Sequence, residues 1–138
     1  MPNDTAGLNA YRAAQNQAQA LTADPHRLIQ LLFANLMMTL QKAKGFLERK
    51  QMSEKGKSIT HAIEILLALD EAIDEEKGGE LAGNLRALYN YCIRQLIAAN
   101  QECSMEKLEE VQRLMLEIKV AWDSIEGKTG DSDAAATQ

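Results

Sequence analysis

A chain of 138 residues, 46% of them hydrophobic, has the length and composition of one globular domain with a buried core rather than a disordered segment. Its formal charge of −5 argues against a nucleic-acid binder, which needs a basic face. Two cysteines make no disulfide framework. Met1 to Thr5 lacks the basic start and apolar run of a secretory signal. No apolar run nears the roughly 18 residues of a membrane span, so a cytoplasmic protein is expected.

In chain order, Met1 to Gly7 is polar. From Leu8 to Leu21 a thin stripe of Leu8, Tyr11, Ala14, Ala18 and Leu21 fits a weak helix, which forms in water only when docked. Two readings stay open for it: a detachable arm, or an ordinary first helix of the bundle. Asp24-Pro25 is a helix start, with Asp24 as cap and Pro25 where its missing N–H is harmless. The helix is expected to run to about Lys50. Its core face is read as Leu28, Leu32, Leu36, Leu40, Ala43 and Leu47, with Ile29, Phe33 and Phe46 beside them. Leu31, Ala34 and Met38 form a second, smaller stripe. Arg27, Lys42, Lys44, Arg49 and Lys50 make this helix basic.

Ser53 is the expected cap of a second helix reaching about Glu76. Its middle, Ala62 to Leu69, is apolar on nearly every side, which suits the centre of a bundle or the wall of a groove. Asp70, Glu71, Asp74, Glu75 and Glu76 then fall at its C-terminal end, against the helix dipole. Gly78-Gly79 breaks the chain. Glu80 is read as opening a third helix, with a core stripe of Leu81, Leu85, Leu88, Cys92, Leu96 and Ala99. Tyr89, Ile93 and Ile97 widen its apolar surface, and Tyr91 lies on another flank beside Asn84. Cys92 and Cys103, eleven residues apart, lie about 16 Å apart if one helix carries both, too far to bridge. Ser104 caps a last helix with a narrow seam of Leu108, Val111, Met115, Ile118, Trp122 and Ile125, stopped by Gly127.

The expected fold is all-α: an antiparallel up-and-down four-helix bundle over 25–127, preceded by an arm with a short N-terminal helix over 1–24 and followed by a disordered tail over 128–138. Catalytic chemistry is not legible. A di-metal bundle needs Glu-x-x-His pairs, and His61-Ala62-Ile63-Glu64 is the reverse order. There is no phosphate-binding glycine loop and no nucleophile–base set. No cofactor, metal or small-molecule substrate is expected. A histidine phosphotransfer or adaptor bundle, with His61 as acceptor, is the alternative function. What is legible is surplus apolar surface: Tyr89, Ile93, Ile97, the outward side of Ile65 to Leu69, and Leu31 with Met38. Either a guest helix covers it, or the bundle packs it internally.

Several motifs occur in a definite order: Tyr11; Thr22-Ala23-Asp24-Pro25-His26-Arg27-Leu28-Ile29; Lys55-Gly56; Gly78-Gly79-Glu80-Leu81-Ala82-x-Asn84-Leu85-x-x-Leu88-Tyr89-x-Tyr91; Ala99-Asn100; and Ala121-Trp122. Together they resemble the flagellar export chaperone family FliS over about Leu8 to Ile125. The resemblance implies a helical bundle without enzymatic activity. It implies a cytoplasmic chaperone that wraps the C-terminal segment of flagellin, blocks premature polymerisation and keeps it fit for the flagellar type III export apparatus. It further implies that the arm carrying Tyr11 covers part of the groove in the free state. Tyr11, Leu28, Leu31, Asn84, Leu88, Tyr89 and Tyr91 are the positions it carries over as contacts or groove-shaping residues, and Ile93 joins them from the apolar surplus. One stretch departs from the family pattern: Phe33-Ala34-Asn35 stands where Tyr-Asp-Gly is usual.

Overall fold

The computed structural model describes residues 24–124. They form four helices: α1 (Pro25–Glu48), α2 (Met52–Glu71), α3 (Glu75–Glu102) and α4 (Met105–Ser124). The connections are two or three residues long, which leaves consecutive helices antiparallel. α1 packs on α2 and α4, and α3 packs on the same two, so the helices stand in a ring as an up-and-down four-helix bundle. Among the described residues there is no strand. The expected N-terminal helix, Ile125, Gly127 and the tail lie outside the described residues.

The local signals at α1 behave as read. The Asp24 carboxylate accepts from the Arg27 N–H at 3.3 Å, and Pro25 occupies the first turn. Ser104 caps α4, its hydroxyl accepting from the Lys107 N–H at 3.2 Å. Two starts differ from expectation. α2 begins at Met52 behind Gln51, so Ser53 lies inside its first turn. α3 begins at Glu75 behind Asp74, whose side chain accepts from the Lys77 N–H at 3.2 Å. α2 therefore ends at Glu71, and Asp74 and Glu76 sit at the start of a helix rather than at the end of one. That removes the conflict with the dipole for these acids, while Asp70 and Glu71 stay in the last turn of α2. The Gly78-Gly79 break is real, but it is a kink inside α3: Gly79 holds φ 54°, ψ −127° while helix continues on both sides.

Phe33, Leu36 and Leu40, Ile59, Leu66 and Leu69, Cys92 and Leu96, and Leu108, Val111 and Met115 meet in one core. Burying each large side chain contributes about 1.5–3 kcal/mol. Three residues read as core or as surplus change places. Leu28 is 37% exposed, because each four-residue step overshoots the helical turn by about 40° and carries its end of the stripe off the core face. Leu81 is 63% exposed, and Ala82 and Tyr89 are buried instead. The buried positions of α3 step by threes and fours through Tyr89, Cys92, Leu96 and Ala99, the period at which one helix stays in register with its neighbours.

Side chains lock the ring. Lys55 is 4% exposed, and its ammonium donates to the Asn100 carbonyl at the end of α3 at 2.9 Å. Trp122 Nε1 donates to the His26 carbonyl at 3.1 Å, and the two rings stack with centroids 4.4 Å apart. The Pro25-His26 and Ala121-Trp122 motifs thus meet where α1 starts and α4 ends.

Candidate partner-binding surface

The kink in α3 shapes one end of the bundle. Gly79 adopts a backbone region that only glycine enters freely. A Cβ on Gly78 would stand 2.8 Å from the Ala82 Cβ, so this close approach requires its absence. Beside it lies a cavity of about 320 Å3 between the helices, with Phe33, Leu69, Ile73, Leu85, Tyr89 and Trp122 among its walls. Leu81 stands at its rim with 63% of its surface open. The Tyr89 phenol is pushed up to about 12, first by burial and then by the nearby Asp70 and Cys92.

A second feature runs along the seam of α2 and α3. Met52, Gly56, Thr60 and Glu64 of α2 and Asn100 of α3 line a shallow depression. On α2 the steps of three and four continue to the half-buried Ile63 and to Leu67, 49% exposed. On α3 they run back from Asn100 to Ile97, 45% exposed, and the half-buried Ile93. The helical period therefore joins these side chains into one furrow with an apolar middle. An added Cβ at Gly56 would meet only Asn100 Oδ1, at 3.8 Å.

The sequence-derived positions fall in different places. Tyr11 lies outside the described residues. Tyr89 forms part of the cavity wall. Ile93 belongs to the furrow. Asn84, Leu88 and Tyr91 share another strip of α3, on the side of α4, where the exposed Tyr91 hydroxyl donates to the Glu110 carboxylate at 2.9 Å and Gln95 Nε2 donates to it at 2.8 Å. Those bonds lower the Glu110 carboxyl, Gln95 first and Tyr91 second, and the Tyr91 phenol is raised by its bond to Glu110. Leu28 and the half-buried Leu31 are on α1. The structure thus spreads these residues around the bundle instead of gathering them in one groove. Sequence reasoning missed Leu81 as a rim residue, Met52, and the exposed pair Leu116 and Val120 on α4. The last two were findable: they sit four apart and outside the seam through Leu108, Val111 and Met115.

Among the described residues, no three His, Cys, Asp or Glu side chains are grouped to hold a metal ion. No helix there is long and apolar enough to cross a membrane. Fold and surface define a helical bundle whose open chemistry is apolar area with polar edges, the chemistry of a protein that binds another chain. The sequence profile described as "Flagellar protein FliS" matches residues 7–129, and the chain belongs to the FliS family. It is 47% identical over 118 residues to the flagellar secretion chaperone FliSB of Pseudomonas aeruginosa, covering 86% of this chain and 94% of that one. It is 38% identical over 123 residues to the flagellar secretion chaperone FliS of Salmonella typhimurium, covering 88% and 91%. It is 34% identical over 117 residues to the flagellar secretion chaperone FliS of Escherichia coli, covering 84% and 86%. The protein is a flagellar export chaperone.

Proposed function

We propose that this chaperone acts in the cytoplasm on the C-terminal segment of flagellin. It lays that segment as amphipathic helices over its open apolar surfaces, which keeps the guest from polymerising early and delivers it to the flagellar export apparatus. No bond is made or broken and no cofactor is used. The observation that carries the reading is the exposure of Leu67 and Ile97 in the furrow and of Leu81 at the cavity rim, on a bundle whose core is otherwise closed. Large side chains left open on a small domain are a docking surface. Tyr11, Leu28, Leu31, Asn84, Leu88, Tyr91 and Ile93 are the proposed contact positions, and Tyr89 shapes the cavity. Their scatter suits a guest that wraps the bundle better than one that fills a single slot.

Calorimetric titration with a peptide of the flagellin C-terminal segment tests this. The expected result is one-to-one binding with a negative heat-capacity change, the mark of buried apolar surface. Absence of heat and of any shift in elution volume at tens of micromolar, roughly −6 kcal/mol of binding free energy, would sink the proposal.

A further inference from the structure

Where the start of α2 meets the corner between α3 and α4, three reactive side chains touch. Cys103 is exposed. The Lys55 ammonium donates to its Sγ at 3.6 Å, and the Met52 Sδ lies 3.7 Å from the same atom. Lys55 and Cys103 are 48 residues apart in the chain, so the fold alone brings them together. Lys55 is the one Lys or Arg that is buried among the described residues, at 4% exposure. The Asn100 carbonyl holds its ammonium at 2.9 Å. Cys103 is held as well. It closes α3 in the left-handed region at φ 54°, with its N–H on the Ala99 carbonyl, a conformation uncommon for a residue with a Cβ. The fold therefore sets an amine shielded from water against a thiol open to it.

We propose that Lys55 and Cys103 form a reversible covalent cross-link when hydrogen peroxide reaches them. The Cys103 thiolate attacks one peroxide oxygen. An S–O bond forms, the O–O bond breaks and hydroxide leaves, so sulfur is oxidised to a sulfenic acid and the peroxide is reduced. The Lys55 ammonium, already directed at the sulfur, gives a proton to that hydroxide, which departs as water. The neutral amine then attacks the sulfenic sulfur. An S–N bond forms, the S–O bond breaks, and the leaving hydroxide takes a proton from the nitrogen as a second water. A thiolate, an ammonium and one peroxide thus give a sulfenamide and two waters, with no other oxidant needed. A sulfenic acid condenses in this way with a nitrogen in reach, and the observed separation is close to the ~3–3.5 Å of a near-attack geometry. The linked nitrogen keeps one hydrogen, enough to donate to the Asn100 carbonyl. The bond ties the first turn of α2 to the end of α3 and removes the Lys55 charge. Met52 and Asn100, its neighbours, line the furrow. A thiol reductant attacks the sulfur and frees the amine again.

Treating the full chain with hydrogen peroxide, digesting it without reductant and weighing the peptides tests this. The expected product is one linked pair carrying Lys55 and Cys103, lighter by two hydrogens than its parts and split by dithiothreitol. Dimedone, which traps sulfenic acids, should label Cys103 only when present during oxidation. In Lys55→Arg, which keeps the cation, no link should form and dimedone added afterwards should still label Cys103. Cys103→Ser, at an exposed position, should fold and show no link. Met52→Leu should keep it, which separates the cross-link from sulfoxide formation at the neighbouring sulfur. Should Lys55→Arg fail to fold, oxidation of the wild-type chain in guanidinium chloride serves instead, and with the two groups apart the link should be lost. A Cys103 that ends as sulfinic acid or as a disulfide, with Lys55 free, overturns the proposal. So does a link that survives in Cys103→Ser or in the unfolded chain, and a linked pair that retains a peroxide oxygen overturns the direct sulfur–nitrogen bond.

Discussion

Lys55 carries a charge into the bundle, where an ammonium is tolerated only with partners. It donates to the Asn100 carbonyl at 2.9 Å and to Cys103 Sγ at 3.6 Å. The first bond places a cation at the C-terminal end of α3, where the helix dipole favours one. Lys55→Ala removes that charge and leaves a carbonyl of the last turn short of a donor, so stability should fall by about 1–3 kcal/mol in denaturant titration. The two thiols should separate cleanly. Cys103 is exposed, whereas Cys92 is buried and its thiol is pushed up to about 11, burial first and Glu110 second. A thiol reagent at pH 8 should label Cys103 promptly and Cys92 only after unfolding. Buried acids with raised values also set an alkaline limit. In the unfolded chain Cys92 ionises near 9 and Tyr89 near 10, but in the fold they hold their protons to about 11 and about 12. The folded state binds more protons between those limits, so stability should fall as pH rises from 9 to 12. Tyr89→Phe should make the decline of the thermal midpoint above pH 10 shallower.

At the scale of elements, much was legible in the sequence because core-facing stripes repeat at the helical period. Four helices, the Asp24 and Ser104 caps and the seam of α4 could all be read from spacing alone. What escaped has a common cause. A stripe read in strict fours rotates away from the core, which misplaced Leu28, and the start of α3 was assigned from the glycines rather than from Asp74. Gly79 was read as a boundary because glycine usually breaks helices, yet here flanking helix on both sides holds it in place. The cavity was not legible, since it depends on how four helices converge at one end. Gly79→Ala tests the kink. An L-residue at φ 54°, ψ −127° is strained by about 1–3 kcal/mol. Denaturant titration should show that loss, or else the first turn of α3 straightens and Leu81 leaves the rim.

For the whole molecule, the proposed function asks a bundle with a closed core to bind a second chain as well. The buried core residues sit on one face of each helix, while Leu67 and Ile97 sit on another face of α2 and α3, so the two tasks use different side chains. Replacing both with Glu leaves every core contact in place, and stability should change by less than about 1 kcal/mol, as for surface substitutions generally. Each replacement removes an apolar contact of about 1.5 kcal/mol or more from the bound state. Since 1.4 kcal/mol is a tenfold change in affinity, the double variant should bind a flagellin C-terminal peptide about a hundredfold more weakly. Calorimetry beside a melting curve measures both quantities on one sample. Unchanged affinity with an intact fold would place the guest elsewhere, whereas a loss of affinity matched by a loss of stability would mean that α2 and α3 use these residues to hold each other.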